Sequence, residues 1–209
     1  MNRKRNNMAT ASKTEQQPGG RQEQMIPKAL IYEEIDGKPI YYRGYQDVLN
    51  KKNTPEGIMG SSSLQVKLAQ LILRYLFTKL DADKWEIFPG EAGMHLSKGN
   101  NLATDIAIYS AEQLKDYTFD VKYFEIAPKV IIEIDTKADL NVIQWEIYLK
   151  QKNHKLLEWG VERIIWVLTA SEQVILVEPN QDWRTRDWNK PVEIVEGFEI
   201  VIETLLQKK

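Results

Sequence analysis

The order of hydrophobic periods along the chain predicts one α/β domain. Three observations carry this expectation. Short strand-like runs bracket two long helical patterns, and the run PKVIIEID is β-branched and apolar on both faces for most of its length, as a central strand is. The chain has 209 residues, 43% hydrophobic and 28% charged, which suits one substantial core better than two.

The elements follow in order. Residues 1–28 contain no aromatic side chain and are rich in polar residues, so they are expected to form a disordered N-terminal arm, with the domain occupying 29–209. The NRKR cluster in the arm is of a kind that can touch nucleic acid, but it reads better as a solvated tail. ALIYEEIDGKPIYYRG reads as an N-terminal β-hairpin around the Asp36-Gly37 turn. SSSLQVKLAQLILRYLFTKLDAD opens with serines available as caps and is dense enough in apolar residues for a helix buried on most of its surface. WEIF and GMHL read as two strand runs broken by Pro89-Gly90 and Gly93, and LATDIAIYS alternates as another strand. A helical pattern runs from about Asp139 to Trp159 and stops at Gly160, a fitting C-cap. VERIIWVLT and EQVILVE are two further strands, and GFEIVIETLL ends the chain as a last strand or short helix.

Composition narrows the chemistry. Cysteine is absent and only two histidines are present, which excludes disulfides, thiolate zinc sites and cysteine nucleophiles and makes a histidine-rich metal site a poor expectation. A metal would have to be held by carboxylates, which favours Mg²⁺ or Mn²⁺. The net charge of −2 gives no general electrostatic reason to expect nucleic acid. No apolar run approaches the ~18 residues of a membrane span, and the N-terminus has no secretory pattern, so a cytoplasmic location without membrane partners is expected.

Three segments place chemistry-bearing residues where packing alone would not. In LATDIAIY the period of two sets Asp105 between Ala103 and Ala107 on one face, with room beside the carboxylate for a metal or substrate. In VIIEIDTK, Ile131, Glu133 and Asp135 share a face, joined by Lys137 only if the strand continues that far. Acids at the end of a core strand have either emerged into water or are paired with a cation. In the following helix Val142, Trp145, Tyr148, Leu149, Leu156 and Trp159 form an apolar stripe with Lys152 near its middle. A lysine there either snorkels to the edge or faces strand carboxylates and neutralises one of them.

The succession IYEEIDG, a serine-opened helix, TDIAIY, VIIEID, a helix carrying Lys152 and then WGVERIIWVL resembles the restriction-endonuclease-like Uma-two group of the PD-(D/E)XK nuclease superfamily, over about residues 31–202. The resemblance implies a restriction-endonuclease-like core: a central mixed β-sheet flanked by α-helices, with acids binding a divalent metal. It implies that Asp105 and Glu133 are metal ligands, with a backbone carbonyl at Ile134 or Asp135 adding an oxygen and Asp135 available as a further ligand. Lys152 takes the place of the superfamily lysine, whose usual position is filled here by Asp135, so the implied catalytic set is Asp105, Glu133 and Lys152. Glu33 matches an acid near the site, and Lys137 stands with it as a residue beside the implied ligands. The chain departs from the group at Thr104, where proline is usual, at Leu64, where histidine is common, and at Thr136-Lys137-Ala138, which replaces a Ser-Pro-Ser run.

The expected function is Mg²⁺- or Mn²⁺-dependent endonucleolytic hydrolysis of DNA phosphodiester bonds. The alternative is a catalytically impaired nuclease-fold module that binds nucleic acid or a protein partner. Six Trp and nine Tyr also allow an aromatic association surface, so a homodimer is compatible with the composition.

Overall fold

The computed structural model describes residues 25–141 and 143–207. The NRKR cluster, most of the expected arm and Val142 lie outside the described residues. None of the described helices is long and apolar enough to cross a membrane.

A hairpin opens the fold, β1 (Ile31–Ile35) and β2 (Lys38–Tyr41), turning at Asp36 and Gly37 with φ of 51° and 71°. Positive φ at both turn residues is the twist-matched geometry that Asp-Gly supplies most readily. Two short helices follow, α1 (Tyr45–Leu49) and α2 (Pro55–Met59), and then the long α3 (Ser63–Lys79). Ser62 caps α3 by accepting from the Gln65 N–H at 3.2 Å.

Only one face of α3 is buried, through Gln65, Leu68, Leu71, Ile72 and Leu76, while Val66 and Phe77 are exposed. The expected near-complete burial is thus corrected. The helix lies on one side of the sheet and packs also with α6 (Ile202–Gln207), the β9–β10 hairpin (Val192–Val195, Phe198–Ile200) and Trp188.

The sheet has mixed direction. β4 (Asn100–Ser110) is flanked along its length by antiparallel β3 (Trp85–Ser97), and α4 (Ala111–Leu114) follows it. On its other edge β4 pairs antiparallel with β5 (Val130–Ile134), which is parallel to β6 (Arg163–Leu168). Antiparallel β7 (Gln173–Val177) and the exposed edge strand β8 (Arg184–Asp187) complete it. The parallel β5–β6 step needs a crossover, and α5 (Trp145–Trp159) supplies it on the face opposite α3. Each sheet face therefore has its own core. Ile106, Ile108, Ile132 and Ile165 pack toward α3, and Ile131, Ile164 and Trp166 toward α5. The expected mixed sheet flanked by helices is the observed architecture.

Two expectations about boundaries are corrected. The WEIF and GMHL runs form one 13-residue strand, because Pro89-Gly90 makes a bulge instead of a break. Pro89 faces Ile106 and Ala92 faces Thr104, so Gly90 and Glu91 together oppose Asp105, with φ of 91° and 58°. The crossover helix begins at Trp145, not near Asp139. Residues 138–139 are instead tied to the hairpin: Ala138 bridges Tyr42, and the Asp139 N–H donates to the Tyr41 carbonyl at 2.9 Å. The helix ends where expected, on Gly160 at φ 119°.

Gly99 shows why close approach decides a residue. Its φ is +79°, its carbonyl accepts from the Gly37 N–H at 2.8 Å, and an added Cβ would stand 2.9 Å from that nitrogen. Gly99→Ala is expected to lower stability by about 1–3 kcal/mol, read as the midpoint of a urea melt.

Candidate active site

The site forms where the β4 ladder is interrupted. Asn101 pairs with both His95 of β3 and Glu34 of β1, and Ala107 pairs with both Phe88 of β3 and Ile131 of β5. Since β3 keeps one edge throughout, β1 and β5 share the other. β5 serves its C-terminal half and β1 its N-terminal end. Between them the backbone of residues 102–105 has no strand partner on that edge.

Side chains fill this gap. The Ala103 N–H donates to Glu33 Oε1 at 3.2 Å, and the Ala103 carbonyl accepts from Lys152 Nζ at 2.9 Å. The Ile134 N–H donates to Asp105 Oδ2 at 2.7 Å. A buried backbone group without a partner costs about as much as a lost hydrogen bond, so these contacts replace the missing ladder. Continuing the β4–β5 register from Ile106 opposite Ile132 sets Asp105 opposite Glu133.

Lys152 is fully buried (0% exposed), Glu33 and Glu133 nearly so (2% each). The ammonium lies 2.6 Å from Glu33 Oε1 and 2.9 Å from Glu133 Oε1, which with Ala103 O makes three oxygen neighbours for three protons. The rings of Tyr32, Tyr148 and Trp166 surround it at 5.4–5.9 Å. Tyr148 also donates its hydroxyl to Glu33 Oε2 at 2.8 Å. Apart from the ion pair with Lys152, Glu133 Oε1 is buried without a hydrogen-bond partner.

The charges do not balance. Three acids, Glu33, Asp105 and Glu133, face one cation. Burial raises the Asp105 carboxyl above its ordinary range, against the Ile134 hydrogen bond and Lys152. Burial pushes Glu133 up to about 8 from 4.5, opposed by Lys152 and reinforced by Asp105 and Glu33. Burial also works against the Lys152 charge, but Glu133 and Glu33 outweigh it and hold the ammonium protonated.

The folded state retains a proton on Glu133 that the unfolded chain releases above 4.5, so this group's contribution declines as pH rises from about 4.5 to about 8. Glu133→Gln is expected to remove that slope. Over this window its thermal midpoint should gain on the wild type as pH rises; parallel curves would contradict the assignment.

The remaining residues lie nearby in different arrangements. The shared-face argument holds to Ile134 and fails at Asp135, where the strand ends and φ becomes 57°. The Asp135 carboxylate turns to the β6–β7 connection and accepts from the Thr169 N–H at 2.8 Å and hydroxyl at 2.6 Å. Lys137 is off the strand and pairs with Glu91 of the β3 bulge; burial lowers its ammonium from the usual lysine range. Among the described residues no group of three or more His, Asp and Glu is arranged to hold a metal ion.

Sequence reasoning missed Gln65. It is buried on α3 and donates Nε2 to the Ile134 carbonyl at 2.6 Å. The signal was present: Gln65, Leu68, Ile72 and Leu76 follow helical spacing, so a polar residue sits on the buried stripe, as Lys152 does on α5. A cavity of about 700 Å³ opens beside it, lined among others by Arg43, Gln65, Asp135, Lys137 and Thr169, though not by Asp105 or Glu133 themselves.

A solved structure from Anabaena variabilis, described as that of a "putative nuclease belonging to DUF820", superposes with a TM-score of 0.59 over 83% of this chain and 88% of that one, at 16% sequence identity. The two chains share a fold. No protein-family model matches the sequence, and no curated protein does.

Proposed function

We propose that the protein is a divalent-metal-dependent nuclease that hydrolyses phosphodiester bonds in DNA, with Asp105 and Glu133 as the metal ligands. The observation carrying this reading is that the continued β4–β5 register brings half-buried Asp105 opposite buried Glu133 at the interrupted ladder, with more acids than cations around them. The nuclease description of the Anabaena protein supports it by analogy of fold.

The residues fit Mg²⁺ or Mn²⁺. A hard cation takes oxygen donors, and Mg²⁺ commonly uses one or two carboxylates while keeping several waters. Glu133 Oε1 has the Lys152 ammonium as its close partner among the described residues, and the Ile134 carbonyl accepts from Gln65, so each of these oxygens keeps a lone pair for a cation. When bound, the ion polarises a phosphoryl oxygen and lowers the pKa of a water.

The protein's own contribution is to hold this geometry. Gln65 fixes the Ile134 carbonyl, and the Ile134 N–H orients Asp105. Lys152 keeps Glu133 and Glu33 in place and offsets part of their charge, acting through them as a positioning residue. Asp135 braces the turn through Thr169, which holds its carboxylate toward the β6–β7 connection.

The test is cleavage of supercoiled, linear duplex and single-stranded DNA with Mg²⁺ or Mn²⁺, with chelator and Asp105→Asn as controls. Cleavage lost in both controls is expected; wild type and variant behaving alike on every substrate would end the reading. A non-cleaving module that binds nucleic acid or a protein partner is the second reading, favoured by Asp135 standing where the superfamily lysine is usual. DNA binding without cleavage would select it.

A further inference from the structure

The buried lysine cannot meet a substrate. Lys152 is wholly enclosed, and its ammonium already has three oxygens within 2.9 Å. A phosphate approaching it would have to displace a carboxylate or a backbone carbonyl. Asp135 offers no cation in its stead. Neither of these positions therefore supplies a positive side chain to the phosphodiester.

Lys137 occupies the right place. It follows β5, on the edge of β4 that holds Glu133, and its ion-pair partner Glu91 belongs to β3 on the other edge, in the bulge opposite Asp105. The Lys137–Glu91 pair therefore crosses β4 at the level of Asp105. Lys137 also lines the 700 Å³ cavity with Arg43, whose guanidinium is anchored to the Thr136 carbonyl at 2.8 Å. The Arg43 N–H holds the Lys137 carbonyl at 2.7 Å, so the backbone that presents the lysine is fixed. Its side chain is 12% exposed and that of Glu91 41%, which leaves the pair open to exchange with an incoming anion.

We propose that Lys137 is the side chain that contacts the phosphate of a nucleic-acid backbone at this site, with Glu91 as the placeholder the phosphate displaces. This rests on the nuclease reading and supplies it with a substrate-contacting cation. A phosphodiester oxygen would accept from the Lys137 ammonium in place of the Glu91 carboxylate, with no proton transferred.

Binding of a fluorescent DNA duplex, measured by anisotropy with Ca²⁺ over a series of salt concentrations, tests the contact separately from cleavage. Losing one phosphate contact lowers the slope of log K against log salt by about 1. Lys137→Gln is expected to bind more weakly with that smaller slope, Lys137→Arg to retain it, and Glu91→Gln to bind roughly two- to fivefold tighter because the competing carboxylate is gone. Thermal midpoints of all three variants separate these effects from misfolding. If the wild type cleaves DNA while Lys137→Gln keeps the wild-type slope, the Lys137 assignment is overturned and the nuclease reading stands. If Glu91→Gln binds no tighter, the placeholder role falls. A wild type that binds and shows the Lys137 slope change without cleaving supports the contact and removes the nuclease. A wild type that neither binds nor cleaves overturns both.

Discussion

Asp105→Asn and Glu133→Gln should each reduce DNA cleavage by roughly a hundredfold or more, with little further loss in the double variant. The scale follows from the task assigned to the pair. Lewis-acid stabilisation by a held cation is worth several kcal/mol, and each ~1.4 kcal/mol is tenfold in rate. Non-additivity follows because the two carboxylates are assigned to one binding unit, brought opposite each other by continuing the β4–β5 register. Both replacements keep side-chain volume, and each removes a charge that burial disfavours. Neither should cost much stability, so activity and thermal midpoint should move independently. Isothermal titration with Mn²⁺ gives a second readout: wild type should bind and either variant should bind far more weakly. Two single variants with full activity would remove the metal-site assignment.

Lys152→Met carries the largest expected effect on stability. The substitution keeps an unbranched chain of similar length but leaves Glu33 and Glu133 without their cation in a sealed environment and strips the Ala103 carbonyl of its donor. Removing one partner of a buried ion pair costs about 3–5 kcal/mol, much more than the pair's net worth, because the survivor stays buried and charged. Without Lys152 nothing opposes the burial that already raises Glu133, so the variant should recover stability as pH falls and the acids take up protons. Chemical denaturation at several pH values measures this. A deficit that stays constant through acid pH would show that the loss is one of packing, not of charge. Lys152→Met/Glu133→Gln should regain part of the single variant's deficit.

The two helices show how far periodicity reads into a site. A lysine in the middle of an apolar stripe was visible as an anomaly on α5, and so in principle was Gln65 on α3. One-dimensional spacing states that such a residue faces the sheet; it does not state what it meets there. Lys152 meets Glu33, more than a hundred positions earlier in the chain, and Ala103. Asp135 makes the opposite case. Strand parity grouped it with Glu133, but the strand ends one residue earlier and a positive φ turns its carboxylate to Thr169. A period of two holds only while the backbone remains extended, and at Asp135 it does not.

Local chemistry alone was enough for the hairpin at Asp36-Gly37, the capped start of α3, the central apolar strand and the glycine stop of α5. Each depends on residues within a few positions of one another, where backbone sterics and alternation act directly. Only the tertiary structure decided that β1 and β5 share one edge of β4 and leave a gap between them. Glu33, Asp105, Glu133 and Lys152 converge there because unpaired backbone groups and buried charges must find partners across the fold, and no local pattern encodes which partners those are.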